Sequence, residues 1–177
     1  MNESDPSAVG RRMIQVTVLG WLAMLGIDAL LHAGILARMY TAPRPFLLPP
    51  EQAFRRIPLG YASFLVQAVL LTWLCWRLDI RRAVDGLRFG LLLGGVIWGS
   101  LTLGLASIAT ASTGLLIGWF VGQTVELGVA GAVVGAGLKA ERLRRLSLAV
   151  LALVVGCLII TVVLQNIGLA PAARVNP

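Results

Sequence analysis

Two carboxylates and the single histidine of this 177-residue sequence lie within long apolar stretches, where ionisable side chains are rare. Asp28 and His32 belong to the first such stretch, and Glu126 lies near the middle of residues 118–137, GWFVGQTVELGVAGAVVGAG. An acidic side chain at the centre of a membrane costs about 3 kcal/mol on insertion scales, so it usually faces the interior of a helix bundle and marks a binding site or an ion path. We therefore expect Glu126 to bind a proton or a cation.

Other polar residues of these stretches lie at similar depths. Asp28 and His32 are four residues apart, which places them on one face of a helix. At a helical rise of about 1.5 Å per residue, Gln123 is level with Asp28. Counted in the same way, Gln67 lies close to the depth of Glu126. The sequence therefore predicts a buried cluster that binds a ligand or a proton and opens toward the outer face, formed by Asp28, His32, Gln67, Gln123 and Glu126.

The same residues allow other roles. Glu126 can instead have a purely structural role. When it is protonated, or hydrogen-bonded to Gln67 or His32, it would hold the helices in register. His32 beside Asp28 can act as the base of an enzyme that works on a lipid or quinone head group. One histidine with two carboxylates could bind a divalent metal, but the sequence has only this one histidine and neither cysteine lies at that depth. The sequence contains no nucleotide-binding, hydrolase or metalloprotease motif. We assign no catalytic residue and expect no metal and no cofactor.

The composition defines the elements that must position this cluster. Hydrophobic residues make up 58% of the chain and charged residues only 13%, which is far from the composition of a soluble domain. We predict an all-α fold, a polytopic transmembrane helical bundle in which residues 1–177 form a single integral membrane domain. Its five spans are residues 13–37, 59–78, 86–110, 114–138 and 146–168, preceded by a loose tail over 1–12, and residues 38–58 form an interfacial connector.

The basic residues predict the orientation of the bundle. The net charge of +7 does not indicate nucleic acid, because the arginines lie in loops and at helix ends. Ten of the fifteen Lys and Arg residues lie on the side of the amino terminus, which is therefore predicted to be cytoplasmic, with the carboxyl terminus outside. The predicted location is a bacterial-type cytoplasmic membrane. Arg44, Arg55 and Arg56 of the connector would then face outward, as anchors to lipid head groups or as part of an outer mouth.

Small residues indicate how the spans pack. On the fourth span, Gly128, Gly131 and Gly135 lie on the face opposite Glu126, so neighbouring helices can approach it on two sides and we expect it to be central. On the third span, Gly95 and Gly99 begin a second stripe of small residues that we expect to pack closely. Cys75 and Cys157 lie at different depths of their spans, so we expect no disulfide.

These observations support a small multi-pass membrane protein that binds or transports a small cationic or protonatable solute. Two alternatives stay open. The chain can be a non-catalytic assembly subunit, whose glycine stripes pack against a larger membrane partner or against a second copy. It can also be the head-group enzyme described above, although nothing in its spacing resembles a known catalytic motif. In each case the lipid bilayer is the expected surrounding.

Overall fold

The computed structural model describes residues 6–40 and 47–171, and within these ranges every element is helical. Five of the helices are long and apolar enough to cross a membrane, as the sequence predicts. A shorter helix lies in the connector, after a single 3₁₀ turn at Ala37–Tyr40. The helices in chain order are α1 (Pro6–Leu30, continued as a π-helix over Leu31–Ile35), α2 (Pro50–Arg55), α3 (Ile57–Arg77), α4 (Ala83–Ile108), α5 (Thr113–Lys139) and α6 (Arg144–Asn166).

The first helix is longer than predicted. It begins at Pro6, whereas the span was predicted to begin at residue 13 after a loose tail. Proline is well suited to the first turn of a helix because its missing N–H would have no partner there, so the polar residues that follow can extend the apolar helix. The other four spans agree with the prediction to within three residues at each end.

Helix α5 lies at the centre of the bundle. It contacts α1, α3, α4 and α6, and it contributes the fully buried Leu127, Ala130 and Val134 to the core. Met24 of α1 and Leu71 of α3 pack into the same core. The prediction that the fourth span is central is confirmed, and each functional side chain on α5 therefore has neighbours on several sides.

The closest helix pair is α4 with α5. Gly86 and Gly90 of α4 lie directly against the backbone of α5, where a Cβ on Gly86 would overlap the Gly131 carbonyl and one on Gly90 the Leu127 carbonyl. Gly135 meets the carbonyl of Arg82 in the same way. Small residues at this spacing allow two backbones to touch and let Cα–H groups approach carbonyl oxygens.

The stripe of small residues that the sequence suggested on the third span is not the one used in this contact. A Cβ on Gly95 would meet nothing within 4 Å, and one on Gly99 would meet only the ring of Phe120. The stripe in contact with α5 is Gly86, Gly90 and Gly94, which lies one residue earlier, or about 100° around the helix. Gly128 of α5 faces Leu91 and Leu87 of α4.

The outward faces of the long helices are apolar. Leu103 and Ile108 of α4 have 75% and 85% of their surface exposed, and similar side chains cover the outer faces of α3 and α6. A folded protein in water rarely exposes continuous apolar surface of this extent.

Candidate functional site

The candidate site begins where α1 changes its helical pitch. At Leu31 the helix widens to a π-helix, in which the N–H of Leu36 donates to the carbonyl of Leu31 at 2.7 Å. The amide of Gln165 on α6 donates to the Ala33 carbonyl in this segment, at 3.2 Å. Single π-helical turns are frequent at functional sites, because they reorient one side chain without ending the helix. His32 lies in this turn, and Asp28 lies four residues before it.

A chain of polar contacts runs from α5 to Asp28. The Trp119 indole N–H donates to the Tyr40 hydroxyl at 2.6 Å, and that hydroxyl lies 2.6 Å from Nδ1 of His32. On the other side of the ring, Nε2 of His32 lies 3.3 Å from Oδ1 of Asp28. These contacts thus join the end of α1 and the 3₁₀ turn that follows it to α5, whose Trp119 lies 79 residues after Tyr40.

The geometry accommodates a proton on either nitrogen of the His32 ring. With the proton on Nε2, the ring donates to Asp28 and accepts the Tyr40 hydroxyl proton at Nδ1. With the proton on Nδ1, the ring donates to the Tyr40 oxygen, and Nε2 accepts from the Gln123 amide nitrogen at 3.2 Å. A histidine that is hydrogen-bonded in both tautomers is suited to relaying protons.

Gln123 connects the polar contacts around His32 to the interior of the helix bundle. Its amide nitrogen lies 3.5 Å from Oδ1 of Asp28, and its carbonyl oxygen is buried without a partner within the described residues. Glu126 lies one turn further along α5, with none of its surface exposed, and neither of its carboxyl oxygens has a partner there.

The structure joins some members of the predicted cluster and separates others. Asp28, His32 and Gln123 are in mutual contact. Glu126 is deeper than these three and is not hydrogen-bonded to them. Gln67 of α3 is partly buried, and in the described part of the chain its amide oxygen contacts no donor.

A cavity of about 560 Å³ opens beside Asp28 and His32, between α1, α3 and the connector. Among the described residues, Asp28 is the only carboxylate in its lining, and none of the lining residues described is a lysine or arginine. The walls are rich in aromatic side chains, namely those of Tyr40, Phe54, Tyr61, Phe64 and Trp119. The described part of the cavity thus combines one carboxyl group with several aromatic rings.

Two of the three connector arginines predicted to form an outer mouth do not line this cavity. Arg55 and Arg56 are exposed and are absent from its lining, and Arg44 lies outside the described residues. Arg38 has a different role, because its guanidinium donates to the carbonyls of Gly168 and Leu169 after α6. That contact holds the 3₁₀ turn that carries Tyr40.

Sequence reasoning missed the aromatic part of the site. Trp119 lies on the same helical face as Glu126, and Trp21 on the same face as Asp28, so a search for aromatic residues on the polar faces would have found both. Trp21 holds α1 against α3, since its indole N–H donates to the Tyr61 carbonyl at 2.9 Å. Tyr40 has no such signal, because it lies in the proline-rich connector, which has no helical periodicity.

Replacing Tyr40 by phenylalanine tests the polar chain. The substitution removes the hydroxyl that accepts from Trp119 and contacts His32, and leaves both groups without that partner. We expect the protein to lose about 1–3 kcal/mol of stability, measured by thermal or denaturant unfolding in detergent. Phe54→Leu, which alters the cavity wall without touching a hydrogen bond, is the control. A Tyr40→Phe protein as stable as the wild type would contradict the contacts at this hydroxyl.

Asp28 and His32 offer two ligands on one helix face, and within residues 6–40 and 47–171 no three His, Cys, Asp or Glu side chains converge as in a metal site. Cys75 and Cys157 are buried and unpaired, which confirms that they do not form a disulfide. Comparisons with protein-family models, with curated proteins and with solved structures give no significant match to this chain.

Proposed function

We propose that the chain crosses a bacterial-type cytoplasmic membrane five times and that it binds and transports a small organic cation through the cavity beside Asp28. The five long helices and the apolar outer faces of α3, α4 and α6 support insertion into a bilayer. In lipid these faces need no protein cover, and all backbone groups within a helix are hydrogen-bonded internally.

The distribution of basic residues supports a cytoplasmic amino terminus and an external carboxyl terminus. Asp28, His32 and the 3₁₀ turn with Tyr40 follow the amino-terminal half of α1. With the amino terminus inside, the cavity opens toward the outer side of the membrane. A solute would then reach Asp28 from outside.

The observation that carries the proposal is the combination of one carboxylate with aromatic walls. A protonated amine or quaternary ammonium group can pair with Asp28 and contact the faces of Tyr40, Tyr61 and Trp119, which attract cations through their π electrons. Within the described part of the lining, no lysine or arginine competes for the carboxylate. The cavity volume lies in the range of about 300–1,000 Å³ that is usual for small-molecule sites.

Transport is proposed because a second carboxylate follows the first toward the interior. Glu126 is about 4.5 Å further along α5 than Gln123, which itself contacts Asp28. An ionised Glu126 without a partner is costly in an apolar surrounding, so a proton or a cation is needed on this group. His32 can exchange a proton with Asp28 as the solute arrives or leaves.

A binding experiment tests the proposal directly. Purified protein in neutral detergent is titrated with tetramethylammonium, a primary alkylamine, Na⁺, Mg²⁺ and a neutral sugar, and the unfolding temperature is recorded. We expect the organic cations to raise it. Asp28→Asn should weaken their apparent affinity roughly tenfold or more, because it removes the charged partner of the ligand.

Asp85→Asn is the matched control, since Asp85 is a carboxylate at the start of α4, paired loosely with Arg82 at 3.9 Å and remote from the cavity lining. It should respond to the cations as the wild type does. The proposal fails if no organic cation raises the unfolding temperature, or if Asp28→Asn and Asp85→Asn respond alike.

A further inference from the structure

A second cavity lies at the opposite end of α1 from the Asp28 site. It has a volume of about 310 Å³ and lies between the beginning of α1, the end of α3 and the end of α5. Three arginines line it, Arg12, Arg77 and Arg81, together with the indole of Trp76. Its apolar lining consists of Val9, Met13 and Leu138.

The end of α3 explains why these arginines converge. Asp79 adopts a left-handed conformation with φ of 55°, and the N–H of Ile80 donates to the Cys75 carbonyl at 2.8 Å. The N–H of Asp79 donates to the Trp76 carbonyl at 3.3 Å. These two bonds form the Schellman arrangement, which reverses the chain after a helix and satisfies its last carbonyls. Arg81 is thereby turned back toward the end of α3, beside Arg77.

Among the described residues, only Arg81 of these three arginines has an acidic partner. Within the described residues, Arg12 and Arg77 make no hydrogen bond or ion pair, and the Nε atom of Arg12 is buried. Arg81 donates to Asp79 at 2.8 Å, but the side chain of Asp79 is 85% exposed and is absent from the cavity lining. Three arginines thus line one small space, and the buried Nε of Arg12 has no acceptor among the described residues, which lowers stability.

We infer that this cavity binds a phosphate group, either the head group of an anionic phospholipid or a free phosphate compound. Arginine is suited to phosphate because its planar guanidinium donates two parallel hydrogen bonds to two oxygens. In the proposed orientation the cavity lies at the cytoplasmic surface of the membrane. Basic pockets between helices on that side bind the head groups of anionic lipids. The inference does not depend on the Asp28 cavity and stands if no cation binds there.

The test measures lipid and phosphate binding by the full chain. Protein in neutral detergent is mixed with phosphatidylglycerol, phosphatidic acid or phosphatidylcholine, and retained lipid is counted by native mass spectrometry. Inorganic phosphate and glycerol phosphate are titrated in parallel, with the unfolding temperature as the readout. We expect one of the two classes to bind, with phosphatidylcholine weaker than the anionic lipids. Arg12→Gln and Arg77→Gln should each weaken binding roughly tenfold.

Arg142→Gln is the control, because Arg142 is an exposed arginine of the α5–α6 turn and does not line the cavity. Arg12→Lys, which keeps the charge and loses the planar fork, should fall between Arg12→Gln and the wild type. Binding of anionic lipid alone identifies the head group as the ligand, and binding of glycerol phosphate with equal strength identifies a soluble phosphate compound. Equal weakening by Arg12→Gln and Arg142→Gln would indicate general charge attraction and overturn the inference, as would the absence of any phosphate binding.

Discussion

Replacing Gly90 by alanine is expected to destabilise the bundle by about 2–3 kcal/mol, one of the largest effects of any single methyl group in this chain. The added Cβ would overlap the carbonyl oxygen of Leu127 and meet the Cα of Gly128. Both are backbone atoms, so no side chain can rotate away and α4 must separate from α5. Because α5 is the central helix, this separation also disturbs the packing of the core.

Gly95→Ala provides the comparison, since it makes the same chemical change on the same helix. A Cβ on Gly95 meets nothing within 4 Å, and alanine favours the helix by up to about 1 kcal/mol over glycine. The unfolding temperature of the two variants, measured by circular dichroism in the same detergent, should therefore move in opposite directions. Equal unfolding temperatures would show that α4 and α5 are not in backbone contact at Gly90.

Replacing Glu126 by leucine is expected to stabilise the protein while it abolishes solute uptake. The carboxyl is fully buried, and neither oxygen has a hydrogen-bond partner among the described residues. Removing a buried polar group without a partner, in favour of an apolar side chain of similar volume, should increase stability by about 1–3 kcal/mol. The same change removes the inner carboxylate of the proposed path, so uptake of an organic cation into proteoliposomes should be lost.

Thr72→Val separates the two effects of this substitution. Thr72 of α3 is also buried, and its hydroxyl is likewise without a partner in the described structure. Its replacement should increase stability in the same direction but leave uptake intact. If Glu126→Leu lowers the unfolding temperature instead, the carboxyl has a structural role in holding the helices. Unchanged uptake by this variant would remove Glu126 from the proposed path.

Part of the site follows directly from the sequence. The spacing of Asp28 and His32 places them on one face of α1, and the rise of a helix makes Gln123 level with Asp28; the structure brings these three side chains together. Gln67 satisfied the same counting of depth, yet it does not join them. Depth along a helix can be counted from the sequence, but rotation about the helix axis relative to a neighbour cannot.

The aromatic half of the site depends on contacts between distant segments. Tyr40 reaches His32 and Trp119 only because Arg38 ties its 3₁₀ turn to the end of α6 and because α1 widens at Leu31. Neither feature has a periodic signature. The cavity lined by Arg12, Arg77 and Arg81 is similar, since Arg12 and Arg77 are 65 positions apart and come together through the packing of α1 against α3.

Helix formation and the number of long apolar helices could be derived from the sequence, because they depend on local composition and on runs long enough to cross a bilayer. The pairing and rotation of these helices required the folded structure. Lipid accepts almost any apolar face, so hydrophobic pattern does not distinguish the stripe of Gly86, Gly90 and Gly94 from that of Gly95 and Gly99. Close packing against the backbone of α5 selects the first stripe, and packing of α1 and α3 around α5 opens the cavity beside Asp28.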